Sequence, residues 1–336
     1  MNESTTRLDD AARAGWLYYI AGKTQDDIAR AMNISRPSAQ RLVSLCRTDG
    51  LLSFRLNHPI SAWMGLAARL TERFALTHCD VVPTAADARA TASAVSEAAA
   101  IVIERVLRKD EPAIIAVGTG RSLRASVTRV TPMSRPHHRL VSLAGNISPD
   151  GSASPYNALE TLAGLTGAPA FPLPLPMHAA DAAQRDLLLR IGCVQRIFAM
   201  AAAADVWFSG LSQFDPEAAL FRDGFLNRDE LLDVMRAGAV GATLAWAFDA
   251  DGNILDHDVN RRVTSVRPQP SRRPRICVAH GPRKVPALRA ALKGRLVNGL
   301  VTDEATARAL LDEAASAPHG TAVTPRRTHS ETGSTR

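Results

Sequence analysis

From Val81 onward, short apolar runs alternate with longer alanine-rich stretches, and no other feature of this 336-residue chain constrains its fold so strongly. The apolar runs have the length of β-strands, and they lie at 113–117, 139–144, 205–209, 242–248, 275–279 and 297–302. The stretches between them have helical length, and they lie at 86–108, 155–166, 180–204, 227–236, 285–293 and 303–314. Strands that alternate with helices of this length are typical of an α/β fold, in which helices cover a parallel sheet.

The first 56 residues show a different pattern, that of three short helices. Thr24 and Asp27 have the spacing of a capping box at the start of the second helix. Asn33 tolerates the left-handed conformation that a tight turn needs. Ser35 followed by Pro37 is typical of a helix start. A second helix, a tight turn and a capped third helix together predict a helix-turn-helix.

This N-terminal block carries side chains that suit DNA. The third helix would offer arginine and glutamine side chains to base edges and serine hydroxyls to phosphates. The candidates for DNA contact are Thr24, Ser35, Arg36, Ser38, Gln40, Arg41 and Arg47. Three short helices are also a common structural unit, so a protein-interaction module with a charged outer face is the alternative.

A glycine turn follows the apolar run at 113–117. Residues 118–122 read Gly-Thr-Gly-Arg-Ser and begin a helix. Backbone N–H groups at such a turn, with the Thr119 and Ser122 hydroxyls, are suited to hold a phosphate or carboxylate. Leu123 occupies the third glycine position of the dinucleotide fingerprint, which excludes that motif. A simple tight turn is the alternative.

A second turn, at 279–284, ends in Lys284 at the start of a helix, where a cation does not complement the helix dipole. This placement indicates an anion held against Lys284, and a solvated surface lysine is the alternative. The formal net charge of the chain is +7, and residues 267–295 alone contain nine basic and no acidic residues. An anionic effector, an acidic face of a neighbouring subunit or a solvated arginine-rich loop accounts for this excess.

Composition and missing motifs exclude several classes of protein. Hydrophobic residues make up 46% and charged residues 22%, which is ordinary for a soluble globular protein. No apolar stretch approaches a membrane span and the N-terminus lacks a signal-peptide pattern, so we expect a cytoplasmic protein without a membrane partner. The cysteines and histidines lack metal-ligand or redox spacing, so no metal site is expected. No acid–base pair or nucleophile motif stands out, and we predict no catalytic residues and no cofactor.

Eight motifs behind the predicted helix-turn-helix give the chain a resemblance to the SorC family of bacterial sugar-responsive transcriptional regulators. They lie at 118–123 (GTGRSL), 143–145 (LAG), 204–210 (ADVWFSG), 238–241 (GAVG), 248–252 (FDADG), 260–263 (NRRV), 279–284 (AHGPRK) and 300–304 (LVTDE). The resemblance runs from residue 7 to residue 312. It implies an N-terminal helix-turn-helix domain followed by a larger Rossmann-like parallel-sheet domain. That domain would bind a sugar and resemble ribose-phosphate and glucosamine-phosphate isomerases.

The resemblance also implies where an effector binds. In the family, the first glycine loop holds a sugar phosphate or the equivalent end of a sugar, and the late turn that ends in lysine contributes as well. The effector-binding residues implied are Gly118, Thr119, Gly120, Arg121, Ser122, Gly145, Asp249, Arg262, Gly281 and Lys284. This chain departs from the family at His280, where a glycine is usual, and at 211–214, where a glycine run is usual. These changes would reshape the pocket for a different sugar or polyol.

The sequence therefore predicts four segments: a helix-turn-helix domain at 1–56, a linker and connecting helix at 57–83, an effector-binding domain at 84–315 and a disordered tail at 316–336. We predict a DNA-binding transcriptional regulator of a carbohydrate or polyol catabolic operon. Its partners would be double-stranded operator DNA and a sugar, polyol or sugar phosphate, and it would act as a homodimer or homotetramer. The alternatives are a sugar-phosphate isomerase-like enzyme with an accessory N-terminal helical domain, and a protein-interaction adaptor.

Overall fold

The computed structural model describes residues 3–48, 51–52, 61–148, 151–152 and 158–312. The chain divides into two compact units, Met1–His58 and Pro59–Arg336. The predicted tail at 316–336 lies outside the described residues, as does the start of the predicted linker. Within the described part, no helix has both the length and the apolar character that crossing a membrane requires.

The first unit consists of three helices: α1 (Glu3–Tyr19), α2 (Gln25–Met32) and α3 (Arg36–Thr48). The capping box at α2 is confirmed, because Thr24 Oγ1 accepts the Asp27 N–H while the Asp27 carboxylate accepts the Thr24 N–H. Asn33 has φ 54° and ends α2 in the left-handed conformation, as predicted. The Ser35 hydroxyl accepts the Ser38 N–H at 3.3 Å and caps α3. Local sequence therefore fixes both the turn and the start of the third helix.

A small apolar core holds the three helices together. Ala14 of α1, Ile28 of α2 and Val43 of α3 are buried in it. A Cβ atom on Gly15 would lie 2.1 Å from Cys46 Sγ, so α1 and α3 cross at a point where only glycine fits. This close crossing places α3 against the other two helices and leaves its remaining face exposed.

The second unit is built on a seven-stranded sheet in which every pairing is parallel. Its strands are β1 (His78–Val82), β2 (Ile114–Val117), β3 (Arg139–Ile147), β4 (Ala170–Pro176), β5 (Val206–Ser209), β9 (Arg275–Val278) and β10 (Gly299–Asp303), in the spatial order β1-β10-β9-β5-β2-β3-β4. A separate three-stranded antiparallel sheet contains β6 (Ser212–Gln213), β7 (Gly241–Thr243) and β8 (Trp246–Phe248). The predicted parallel α/β architecture is confirmed.

Helices cover both faces of the parallel sheet. They are α4 (Ser61–Phe74), α5 (Ala88–Leu107), α6 (Arg121–Val127), α7 (Leu159–Thr166), α8 (Ala182–Leu189), α9 (Gly192–Ala202), α10 (Ala219–Arg222), α11 (Arg228–Arg236), α12 (Asp258–Arg261), α13 (Val285–Lys293) and α14 (Glu304–Leu311), with a 3₁₀ turn at Pro282–Lys284. Neighbouring residues of one strand enter different cores: Ile115 packs with one apolar cluster and Ala116 with another. Because both faces are buried, each central strand is a continuous apolar run rather than an alternating one.

Two of the predicted elements were wrong in detail, and one strand was missed. The run at 242–248 is not one strand but the hairpin of β7 and β8, whose two loop residues, Leu244 and Ala245, have φ 51° and 68°. The helical stretch at 180–204 is two helices, α8 and α9. Strand β4 was missed because three of its seven residues are proline; it pairs only with β3, and an edge strand tolerates residues that lack an N–H.

The order of the strands creates a natural crevice beside β2 and β5. From β2 the chain continues to β3 and β4 on one side, whereas from β5 it continues to β9 and β10 on the other. Neighbouring strands whose connections leave in opposite directions form a topological switch point. In open α/β sheets, ligands bind beyond the carboxyl ends of the strands at such a point.

Candidate effector cavity and DNA-contacting helix

A cavity of about 310 Å³ lies at this switch point, beyond the carboxyl ends of β2, β5 and β9. We call it the effector cavity. The residues that follow these three strands line it: Thr119, Gly120, Arg121 and Ser122 after β2, Gly210, Leu211, Ser212 and Gln213 after β5, and His280, Arg283 and Lys284 after β9. The hairpin of the small sheet and the segment around α10 close the remaining sides.

Glycines allow the loops after β2 and β5 to contact each other beyond the carboxyl ends of these strands. Gly120 has φ 132°, a conformation that side-chain-bearing residues rarely adopt. A Cβ atom on Gly210 would lie 2.9 Å from the Thr119 carbonyl oxygen, and the Gly210 N–H donates to that oxygen at 3.2 Å. The two loops are therefore joined backbone to backbone, which fixes the position of the Thr119 and Ser122 hydroxyls beside the cavity.

Lys284 brings a partly buried cation to the cavity. Its Nζ donates to the Leu211 carbonyl oxygen at 2.8 Å, which ties the β9 turn to the β5 loop. Burial lowers the pKa of the Lys284 ammonium, and the Arg121 guanidinium lowers it as well. Lys284 makes no ion pair with any carboxylate in the described part of the chain. Because a buried ammonium is unfavourable without a counter-charge, this position favours a bound anion.

Two arginines of the cavity, Arg121 and Arg283, differ from Lys284 because carboxylates already neutralise them. Arg283 holds Asp215 with a bidentate pair, its Nη2 lying 2.7 Å from each carboxylate oxygen. Arg121 Nη2 lies 3.8 Å from the Asp223 carboxylate. Both acidic residues belong to the segment around α10, so these pairs tether that segment to the β2 and β9 turns.

His280, which stands where a family glycine is usual, adds a neutral polar group to the cavity wall. Burial lowers the pKa of its imidazole, although the nearby Asp303 carboxylate opposes this shift. A neutral imidazole offers one donor and one acceptor nitrogen. His280 therefore supplies hydrogen-bonding capacity without adding a charge to the cavity.

Helix α3 of the first unit presents a polar stripe. Arg36, Gln40, Ser44 and Arg47 are exposed and recur at intervals of four, four and three residues, so they lie along one face. Arg41 is exposed beside this stripe and donates to the Pro37 carbonyl oxygen at 3.3 Å. Such a row of guanidinium, amide and hydroxyl groups matches the donors and acceptors of base edges and phosphates.

Comparison with known proteins identifies the family of the chain. The Sugar-bind family of sugar-binding domains matches residues 58–312. The erythritol catabolism regulatory protein EryD of Brucella abortus (strain 2308) is 30% identical over 304 residues, which cover 90% of this chain and 96% of EryD. The deoxyribonucleoside regulator of Bacillus subtilis (strain 168) is 31% identical over 312 residues, with coverage of 90% and 96%. The chain belongs to the SorC family.

The SorC family fold extends over nearly the whole chain. The full-length sorbitol operon regulator SorC of Klebsiella pneumoniae matches the structure with a TM-score of 0.68 at 23% identity, over 91% of this chain and 99% of that protein. The relatives are transcriptional regulators and not enzymes. This SorC-family chain is thus a transcriptional regulator with a sugar-binding domain, and the isomerase alternative is set aside.

The structure brings together half of the effector residues that the family resemblance implies. Five of them line the effector cavity: Thr119, Gly120, Arg121, Ser122 and Lys284. Gly118 lies directly behind the cavity, where a Cβ atom would meet Leu244 at 2.8 Å, and Gly281 sits in the β9 turn with φ 99°. These two glycines shape the turns beside the cavity without lining it.

Three of the implied residues lie elsewhere. Gly145 permits close packing of β3 on β4, since a Cβ atom there would lie 2.4 Å from the Leu175 carbonyl oxygen. The Asp249 carboxylate accepts the N–H groups of Asp251 and Asn253 and so shapes the turn after β8. Arg262 forms an ion pair with Glu230 and lines a second cavity.

The basic segment 267–295 does not form one anion site. Arg273 precedes β9, at the edge of the sheet opposite the effector cavity, and donates to the Ala204 carbonyl oxygen near the end of α9. The Arg275 guanidinium stacks on the Trp207 ring at 4.0 Å. Of the nine basic residues in the segment, Arg283 and Lys284 line the cavity. Most of the positive charge therefore has structural partners.

Sequence reasoning missed several residues of both regions. Arg283 lines the cavity, and its position in the turn directly after a predicted strand was a usable signal. Leu244 and Ala245 also line it, but a left-handed turn without glycine leaves no signal in the sequence. Ser44 completes the α3 stripe and follows from the four-residue spacing. Within the described residues, no cluster of three or more His, Cys, Asp or Glu side chains is arranged to hold a metal ion.

Proposed function

We propose that this regulator binds double-stranded operator DNA through α3 and that a sugar, polyol or sugar phosphate in the effector cavity changes its affinity for that DNA. The observation that carries the proposal is Lys284, a partly buried ammonium without a carboxylate partner in the described chain, beside the Thr119 and Ser122 hydroxyls. An anionic group of the effector would supply the missing counter-charge, and the hydroxyls would donate to its oxygens.

The names of the relatives support a carbohydrate or polyol catabolic operon as the target. EryD is named for erythritol catabolism, a second relative for deoxyribonucleosides, and the structural relative SorC for a sorbitol operon. An effector acts only if it binds the two states of the protein with different affinity. The effector cavity is suited to this, because ion pairs from Arg283 and Arg121 hold the segment around α10 against the cavity, where a ligand would compete for them.

We further propose that seven side chains of the first unit contact DNA: Thr24, Ser35, Arg36, Ser38, Gln40, Arg41 and Arg47. Three of them have a structural role as well. Thr24 Oγ1 donates to the Asp27 carboxylate at 2.7 Å, and the Ser35 and Ser38 hydroxyls lie 2.9 Å apart. Gln40 and Arg47 are exposed on the α3 stripe. We therefore expect these two to contribute more to recognition than Thr24.

A gel mobility shift with the promoter DNA beside this gene tests the function, using polyols, sugars and their phosphates as effectors. We expect the wild type to bind the DNA and the effector to shift the midpoint. Lys284→Ala should keep DNA binding and lose most of the effector response. The matched control is Lys293→Ala, because Lys293 lies at the far end of α13 and pairs with Asp251 at 2.5 Å.

Two results would contradict the proposal. One is the absence of DNA binding at about 0.1 M salt, since phosphate contacts dominate affinity under such conditions. The other is an effector response of Lys284→Ala equal to that of wild type and Lys293→Ala, which would remove Lys284 from the site.

A further inference from the structure

A second cavity, of about 370 Å³, lies next to the effector cavity. The two cavities share Met177 and Phe225 as lining residues, so they lie side by side. His178 and Arg262 contribute polar side chains to the lining of the second cavity. We call these two residues the His178–Arg262 pair.

The backbone holds the His178–Arg262 pair in fixed positions. His178 forms an antiparallel bridge with Val263, and the Ala179 N–H donates to the Arg262 carbonyl oxygen at 2.8 Å. On the other side of the bridge, the Thr264 N–H donates to the Met177 carbonyl oxygen at 3.1 Å. These hydrogen bonds hold the segment after β4 against the segment after α12. His178 and Arg262 lie on opposite segments, one residue out of register across the bridge.

Both ring nitrogens of His178 are buried, and neither has a hydrogen-bond partner among the described residues. The contrast is His138, the other buried histidine of the sheet unit, whose Nδ1 accepts the Ala113 N–H at 3.1 Å and whose Nε2 lies 3.0 Å from the Leu107 carbonyl oxygen. A buried polar atom without a partner is unfavourable, and native proteins rarely keep one. His138 already has protein partners for both ring nitrogens. His178 has none, and it faces a cavity with room for a ligand that could supply them.

Arg262 also has a buried nitrogen without a hydrogen-bond partner, although its charge is paired. One guanidinium nitrogen forms an ion pair with Glu230, which neutralises the charge. Its Nε is buried and has no hydrogen-bond partner within the described chain, and the nearest Asp258 oxygen is 3.7 Å away. A donor whose charge is already balanced favours an uncharged acceptor, such as a hydroxyl oxygen, over a second anion.

The protonation of His178 points to the same kind of ligand. Burial, and to a lesser degree the Arg262 charge, lowers the pKa of its imidazole to about 4. At neutral pH the ring is therefore uncharged and offers one donor and one acceptor nitrogen. A hydroxyl group both donates and accepts, so neighbouring hydroxyls of a polyol or sugar satisfy both ring nitrogens at once.

We propose that the His178–Arg262 pair binds the uncharged, polyhydroxylated end of the effector, while its anionic end lies at Lys284. This inference rests on the proposed function of the effector cavity and adds a specificity site to it. It identifies the ligand class as a polyol or sugar that carries one anionic group. The two cavities then act as one bipartite site across Met177 and Phe225.

Calorimetric titration of the full-length protein tests the proposal with erythritol and sorbitol monophosphates and with inorganic phosphate as an anion-only probe. The quantity compared is the ratio of affinity for the better polyol phosphate to that for inorganic phosphate. In wild type this ratio should exceed tenfold. In His178→Phe it should fall at least tenfold with phosphate binding unchanged, whereas Lys284→Ala should weaken both ligands.

Thermal unfolding separates a binding role from a structural one. His178→Phe should keep or raise the melting temperature, because it removes two unpartnered polar atoms from a buried position. His138→Phe, the matched control, should lower it, because it removes the His138 acceptor of the buried Ala113 N–H and one of the two side-chain partners of the Leu107 carbonyl. In His138→Phe, the ratio of affinity for the polyol phosphate to that for inorganic phosphate should equal the wild-type ratio.

The outcomes distinguish the two proposals. An unchanged ratio in His178→Phe, a wild-type ratio near one, or a loss of melting temperature in His178→Phe as large as in His138→Phe overturns the inference. Failure of the proposed function has a different signature, which is phosphate binding that survives Lys284→Ala. Arg262→Lys adds a further check, because it keeps a cation for Glu230 and lacks Nε; the ratio should again fall.

Discussion

Burial lowers the pKa of the Lys284 ammonium below the ordinary lysine value of 10.5, and the nearby Arg121 charge acts in the same direction. An anion bound beside Nζ reverses both effects, because it replaces lost hydration and offsets the repulsion. Binding of an anionic effector is therefore coupled to the protonation of Lys284, and pH becomes a way to test the site.

The first prediction concerns this coupling. The affinity of wild type for a sugar phosphate should fall as pH rises from about 7 to about 10, because the ammonium is lost below the ordinary lysine pKa while the phosphate, with a second pKa near 6, stays a dianion. In Lys284→Arg the affinity should stay level over this range, because a guanidinium remains protonated. Calorimetry at several pH values measures both, and a wild-type affinity independent of pH contradicts the assignment.

At the scale of elements, α3 is the part of the molecule that we propose reads DNA. Its exposed stripe is continuous because Ser35 caps the helix that begins at Arg36, and the apolar residues between the polar ones face the small core. The stripe depends on the helix and not on any single side chain, so substitutions along it should have graded effects.

The second prediction follows from that stripe. Arg41→Ala should weaken operator binding by about 1–3 kcal/mol if Arg41 contacts a base, and it should leave effector affinity unchanged. Arg30→Ala is the matched control, because Arg30 is an exposed arginine of α2 that pairs with Asp27 at 2.6 Å. Fluorescence anisotropy with labelled operator gives both values. An equal loss of operator affinity in the two variants would indicate a general effect of charge and would contradict a base contact by Arg41.

The third prediction concerns the crossing of α1 and α3. Gly15→Ala should destabilise the helical unit by about 1–3 kcal/mol, because the new methyl group would overlap Cys46 Sγ and the core must shift. Gly164→Ala is the control: Gly164 lies within α7 with open space around it, so alanine should stabilise that helix by up to about 1 kcal/mol. Urea unfolding followed by circular dichroism measures the free energy of unfolding of each variant. The change should be a decrease for Gly15→Ala and an increase for Gly164→Ala.

Elements with local signals were predicted well. Helix α13 has the bounds that its periodicity indicated, and the α2 capping box has both of its hydrogen bonds. The β2 turn could be placed at the site because strand ends in a parallel sheet share one edge. Elements set by tertiary context were not predicted: β4 is an edge strand only because β3 pairs with one of its sides, and no local residue marks the β7–β8 turn.

The same distinction holds for the candidate site. Thr119, Ser122 and Lys284 follow strands, and their proximity could be inferred from topology alone. The partners of the arginines could not be, because Arg283 and Asp215 are 68 residues apart and pair only after folding. For the same reason, sequence gave no sign that His178 and Arg262 line a common cavity.

At the scale of the whole molecule, one recognition helix gives too few contacts for a specific operator. We therefore propose a homodimer or homotetramer, whose α3 helices would reach half-sites one DNA turn, or a multiple of it, apart. The fourth prediction is that sedimentation equilibrium gives a dimer or tetramer and that a footprint shows two half-sites about 10 bp apart or a multiple of that. A monomer protecting a single half-site contradicts it.

The first and last strands of the sheet unit pair with each other, and Thr77 beside β1 bonds to Asn298 beside β10 across 221 positions of the chain. During synthesis, the helical unit has all of its core residues once the first 58 are made, whereas β1 has no neighbouring strand until β10, the last strand, is made. Contacts over such separations form slowly. A prematurely terminated chain would therefore contain the complete helical unit without a finished sheet, and hence without the cavity at the strand ends.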